Sequence, residues 1–258
     1  MNKIHFLCLF VSLLLFSCLK KEVDFARKTT GKINTISVVI DDQLWNGEIG
    51  DSIRNKLASP VIGLPQEEPR FTINQYPVKL LDGFATNNRA IIIIKKAAQK
   101  SFEIKRNQYA FPQNVFHISG RTTEELQQLL EEHIPRIIRL IEKGEITESQ
   151  QINKKALRPT AFFNEQFQLT IQVPVDFEMV LRQPNFVWLK KNIISGSSSL
   201  LVYQVPLNAI SNTNVATSIL SMRDSIGKYI HGTEPKNFMI SETGYTPYFF
   251  KSKLDHHF

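Results

Sequence analysis

The sequence predicts an α+β protein of two small sheet-plus-helix domains behind a cleaved lipoprotein signal peptide. Three observations carry that expectation. Short β-branched runs recur at strand length through the first half. A long helical stripe, Leu126 to Ile141, follows them. A polar stretch from Glu145 to Pro159, part of which can be helical, then separates this half from a second set of strand and helix patterns. With 258 residues, 42% hydrophobic and 21% charged, the composition is globular and long enough for two modest cores. The expected organisation is a signal peptide over 1–17, a lipidated N-terminus and tether over 18–33, a first α+β domain over 34–145, a linker over 146–160 and a second α+β domain over 161–258.

The N-terminus sets the address. Lys3 precedes an apolar run from Ile4 to Phe16, and Leu15-Phe16-Ser17-Cys18 closes it with a small residue before a cysteine. A run of about thirteen residues is too short for the roughly twenty of a spanning helix and suits a signal-peptide core. The arrangement resembles bacterial lipoprotein signals, which implies diacylglycerol on the Cys18 sulfur, cleavage before it and acylation of the freed amine. An ordinary signal with an accidental cysteine, or an uncleaved anchor, does not account for a small residue and a cysteine placed directly after the core. Cys8 leaves with the signal, so the mature chain keeps one cysteine and forms no intramolecular disulfide. The expected location is the bacterial cell envelope, lipid-anchored at the outer membrane and facing the periplasm or the cell surface.

Within the body, Thr35 to Ile40 reads as a buried strand stopped by Asp41-Asp42, Asn46-Gly47 as a turn, and Ile49 to Leu57 as a short helix. The proline-rich stretch Ser59 to Pro69 must be an irregular connection, with a short edge strand at Phe71 to Ile73. Ala90 to Ile94 is apolar enough for the centre of a sheet covered on both faces, and Ser101 to Lys105 and Val115 to Ser119 are further strands. Thr122 and Glu125 are spaced as a capping box. The stripe behind them holds Leu126, Leu129, Leu130, His133, Ile134, Ile137, Ile138 and Ile141, with Pro135 expected to bend or break the helix and Gly144 to end it.

In the second half, Gln166 to Phe177 alternates, with Phe167, Leu169, Ile171, Val173 and Val175 on one side, and reads as a strand with one wet face. Phe186 to Leu189 and Leu200 to Val205 continue as a meander, and a helix capped at Asn212 or Thr213 runs to Ile230. Phe238 to Ser241 and Tyr248 to Lys253 read as a returning hairpin. Because the chain stops in that aromatic, strand-like run, the C-terminal sheet is expected to be truncated relative to a longer parent.

The net charge is +7, of which Lys3 leaves with the signal, and the lysine pairs are scattered rather than gathered on one face. That argues against a nucleic-acid partner. The histidines have no metalloprotease spacing, and no nucleophile elbow, phosphate loop or dinucleotide fingerprint occurs, so no cofactor is expected. His133, on an apolar stripe, reads as a core histidine. The stretch that stands out is Val39 to Asp51, where Asp41, Asp42, Glu48 and Asp51 fall close together after a buried strand. Such carboxylates could hold a hard cation or act as acid and base, but caps, turns and a helix N-terminus explain them as well, with Trp45 at the core edge.

The Val38–Asp51 stretch and the Pro60–Pro69 segment resemble the domain-of-unknown-function 4837 family of Bacteroidetes lipoproteins. The resemblance implies the address and the α+β architecture and no catalytic residue. The expectation is therefore a membrane-anchored envelope lipoprotein that binds or assembles rather than catalyses, lipidated at Cys18, with Asp41, Asp42, Trp45, Asn46, Glu48 and Asp51 as candidate binding residues and an envelope protein or a glycan as partner. The alternative kept open is a hydrolytic or metal-dependent enzyme using the acidic stretch.

Overall fold

The computed structural model describes residues 27–244 apart from 65, 195, 233, 235 and 243. The expected signal peptide, Cys18 and the strand expected over Tyr248 to Lys253 lie outside the described residues.

The first unit is one five-stranded sheet in the order β2-β1-β3-β5-β4. Its strands are β1 (Thr35–Ile40), β2 (Thr72–Tyr76), β3 (Ala90–Lys96), β4 (Ser101–Arg106) and β5 (Asn114–Gly120). The pairs β1·β2, β1·β3 and β3·β5 are parallel, and β4 runs antiparallel along β5. Helices α1 (Asp42–Trp45) and α2 (Glu48–Leu57) follow β1, and α3 (Thr123–Asn153) follows β5.

The crossover from β1 to β2 moves one way across the sheet and that from β2 to β3 moves back past β1. Right-handed connections then need opposite faces. The packing agrees. Ile36, Val38 and Ile40 of β1 and Ile92 and Ile94 of β3 meet Ile53 and Leu57 of α2 and Leu130, Ile137 and Ile141 of α3. On the other face Val39, Ile91, Ile93 and Val115 lie under Tyr76 at the end of β2, Val78 and Leu81 of the β2–β3 connection, and Tyr109. All six residues of β1 and the first five of β3 are buried, so both faces are covered as the unbroken apolar runs require.

Of the two outcomes expected at Pro135, α3 excludes the break: the helix runs on through it, and the residue is exposed, so the Glu131 carbonyl that loses its helical donor can turn to water. α3 departs from expectation at Gly144, which does not end it. The next residue, Glu145, is buried and makes a two-bond ion pair with Arg89 at the start of β3, Nε to Oε1 at 2.9 Å and Nη2 to Oε2 at 2.8 Å. The Arg89 guanidinium also donates to the Gly31 and Lys32 carbonyls at 2.8 Å, and Glu145 accepts the Asn34 amide at 2.8 Å. A glycine costs a helix about 1 kcal/mol; a buried carboxylate that would otherwise lose its partner costs more. The helix therefore runs on to Asn153, and most of the stretch expected as a linker over 146–160 is its last two turns. At the other end Thr122 Oγ1 accepts the Glu125 amide at 3.3 Å, while Glu125 reaches back to the Arg121 amide at 2.7 Å, one residue beyond the usual reciprocal bond.

The second unit is a three-stranded antiparallel meander, β6 (Glu178–Gln183), β7 (Phe186–Ile193) and β8 (Gly196–Tyr203), with α4 (Ala161–Phe167) and α5 (Val215–Gly227). The strand expected over Gln166–Phe177 is not there. α4 ends at Phe167, Gln168 takes a left-handed φ of 55°, and the chain then runs extended with only a bridge between Leu157 and Pro174. The side chains read as inward still turn inward, with Phe167 and Val173 buried and Leu169 and Ile171 packed against them, but Val175 is exposed. The alternation reported burial correctly and secondary structure wrongly. α5 starts at Val215, without a side-chain cap from Asn214. Phe238 makes an isolated bridge to His231 rather than a strand.

Truncating Arg89 should strand the buried Glu145 charge. Arg89→Met is expected to lower stability by about 3–5 kcal/mol in urea unfolding, and Arg89→Met with Glu145→Met to recover most of it. A single variant as stable as the parent would show that the pair does not hold this end of the sheet.

Candidate functional site

The acidic stretch lies at the carboxyl end of β1, where open parallel sheets commonly carry their sites. Asp41 occupies the N-cap position of α1 and its carbonyl accepts the Leu44 and Trp45 amides at 3.0 Å, but its side chain makes no capping bond. Asp42 Oδ1 accepts Gln75 Nε2 at 3.3 Å. Asn46 closes α1 by donating its amide to the Asp42 carbonyl at 2.9 Å. Glu48 opens α2 and is exposed, favourably placed against the helix dipole. Asp51 pairs with Arg54 one turn on, at 2.7 Å.

Arg54 ties this corner together. Its guanidinium lies 4.5 Å from the centre of the Trp45 ring and donates to the Trp45 carbonyl at 3.1 Å. Trp45 is partly buried against the main core. The tight passage from α1 into α2 depends on Gly50, where an added Cβ would stand 1.7 Å from the Trp45 carbonyl oxygen. The backbone, not a flexible side chain, blocks any larger residue.

The arrangement does not converge. Asp42 faces Gln75, Asp51 faces Arg54, and Asp41 and Glu48 face solvent. Among the described residues no three of His, Cys, Asp or Glu come together in a metal-holding group. What the six residues form is an exposed acidic corner with one aromatic edge, a surface able to take a cationic or polar partner. His133 stacks on Phe102 with ring centres 3.9 Å apart, so the apolar stripe uses it as a packing residue. His117, on the loop-covered face, bonds Gln108 at 2.7 Å and is held below the ordinary histidine range, first by burial and next by the Lys105 ammonium.

The opposite, amino end of the sheet holds features that the residue patterns did not single out. A cleft of about 390 Å³ opens there, with Arg106, Asn107, Pro112, Asn114, Lys143 and one carboxylate, Glu148, among its lining residues. Beside it Phe111 is 56% exposed, and Phe84, in the 3₁₀ turn Gly83–Thr86, is 86% exposed. One signal was available in the sequence: Arg89 stands directly before the most apolar strand, where a charge needs a partner. A concavity of about 430 Å³ in the second unit is lined by hydroxyls of α5, of which Ser218 and Ser225 bond back to their own helix.

Two family models match the chain. Residues 29–154 match a domain of unknown function (DUF8532), and residues 157–258 match a domain of unknown function (DUF4837). The boundary between them falls just past the end of α3. The DUF4837 relationship is therefore present, carried by the second half; the Val38–Asp51 and Pro60–Pro69 stretches from which it was expected lie in the DUF8532 match. No curated protein and no solved structure matches significantly.

Two measurements check the corner. Calorimetry with calcium, magnesium, manganese and zinc should give no binding heat, and saturable heat lost in Asp42→Asn would show that the carboxylates gather around a cation. Gly50→Ala should lower stability by roughly 1–3 kcal/mol in chemical unfolding, and an unchanged midpoint would mean that the corner can relax.

Proposed function

We propose that this chain, whose residues 157–258 belong to the DUF4837 family behind a DUF8532 domain, is a lipid-anchored protein of the bacterial cell envelope that works as a binding or assembly factor. The observation that carries the proposal is the placement of Leu15-Phe16-Ser17-Cys18 directly after a signal-length apolar run. Acylation of sulfur and amine puts more than one chain on a single residue, which meets the need for two signals in stable anchoring, each buried methylene contributing about 0.8 kcal/mol. Among the described residues no helix is long and apolar enough to cross a membrane, so attachment of the body rests on the N-terminus in this reading.

Binding is favoured over catalysis by the geometry of the acidic corner. Its carboxylates are spent on Gln75, Arg54 and solvent rather than aimed at a common point. The exposed Asp41, Asn46 and Glu48 with the edge of Trp45 suit contact with an envelope protein or a glycan.

Cys18→Ser is expected to abolish incorporation of a fatty-acid analogue in a bacterial host and to move the protein from the membrane to the soluble fraction. Labelling that persists in this variant would overturn the anchor.

A further inference from the structure

The parallel strands give the first sheet two unlike ends, and the chain arrives at the amino one. The Thr29 amide donates to the Phe111 carbonyl at 3.0 Å and the Phe111 amide to the Arg27 carbonyl at 2.9 Å. On the other side the Thr30 amide donates to the Asn87 carbonyl at 3.1 Å, and Arg27 Nη1 to Asn87 Oδ1 at 3.0 Å. Residues 27–30 are thus clamped between the loop that carries Phe111 and the turn that carries Phe84. Gln113 Nε2 locks these two loops together by donating to the Thr86 and Asn88 carbonyls, both at 2.8 Å.

Covalent geometry then limits the distance to the anchor. Cys18 precedes Arg27 by nine residues, which span no more than about 30 Å when fully extended. The end of the sheet that presents exposed Phe84 and Phe111 is the end tied to the acylated residue. The same end carries the exposed cations Arg27, Lys28, Arg106 and Lys143. Aromatic rings beside basic side chains are what a protein surface needs to seat at an anionic headgroup layer, the rings entering the interface and the cations meeting phosphates.

We propose that the amino end of the first sheet is a membrane-docking face for anionic phospholipid, with Phe84 and Phe111 entering the interface and the Arg106–Lys143 cleft taking a headgroup phosphate. The proposal deepens the anchored reading of Cys18 and rests on it for its biological setting. Docking leaves the acidic corner at the far end of the strands, turned away from the bilayer and open to a partner.

The test separates the two ideas because it uses no acyl chain. The mature chain, residues 18–258, with Cys18→Ser has no cysteine, so Phe84→Cys can carry a single environment-sensitive fluorophore. With vesicles of phosphatidylcholine and phosphatidylglycerol its emission should shift to the blue and strengthen several-fold. Pure phosphatidylcholine should give little change, and added salt should reverse the effect. The same fluorophore at Asp41→Cys should not respond, and Arg106→Glu with Lys143→Glu should abolish the preference for anionic vesicles. Phe111→Cys gives a second reporter on the same face. Silence at both aromatic positions with a folded protein, or equal responses at positions 41 and 84, would overturn the docking face. Either outcome leaves the acylation of Cys18 standing, just as a failed fatty-acid labelling would leave the vesicle result standing.

Discussion

The first unit depends on one buried ion pair. Arg89 and Glu145 are almost wholly removed from water, with side chains 6% and 4% exposed, and their contacts join the approach to β1, the start of β3 and the last third of α3. Burying two charges is costly, and the cost is met only because nearly every donor and acceptor has a partner. The Gly31 and Lys32 carbonyls and the Asn34 amide complete the set. Once the pair forms, the N-terminal segment cannot leave the sheet without stripping buried Arg89 and Glu145 of their carbonyl and amide partners, and α3 cannot end at Gly144 without abandoning its anchor. The same contact thus sets where the chain enters and how far the helix reaches.

That constraint also gives the sheet its polarity in use. A strand of seven residues spans about 23 Å, whereas the 31 residues of α3 span about 46 Å. α3 starts at the carboxyl end of β5 and reaches the Arg89 pair at the amino end before it stops. The acidic corner, by contrast, is built at the carboxyl end, from the short turn that β1 needs before α2 can fold back across the sheet. Gly50 makes the turn possible, and Arg54 holds it by stacking on Trp45 and pairing with Asp51. The corner is tied down without being convergent.

Wherever burial is continuous the chain's own pattern was sufficient. Six consecutive apolar or small residues in β1 and the run in β3 can be satisfied only in the middle of a covered sheet, and the stripe of α3 only against it. The pattern failed where a local rule met a distant partner. Gly144 is a helix stop by local preference and was overruled by Glu145. The alternation after Gln166 marked the inward side chains, but among the described residues only a bridge to Leu157 meets this segment, and Pro174 offers no amide to a ladder.

The sequence alone determined the presence of strands and helices in the first unit and the residue types of the acidic stretch, and it carries the proposed address at Cys18, because signal length, apolar periodicity and turn chemistry are all local quantities. Only the tertiary structure decided that the four carboxylates point at different partners, that Arg89 and Glu145 meet across 56 positions, and that Phe84, Phe111 and the N-terminal segment share one end of the sheet. Those are distances between residues far apart in the chain. They follow from the order in which parallel strands assemble, and no periodicity along the sequence encodes that order.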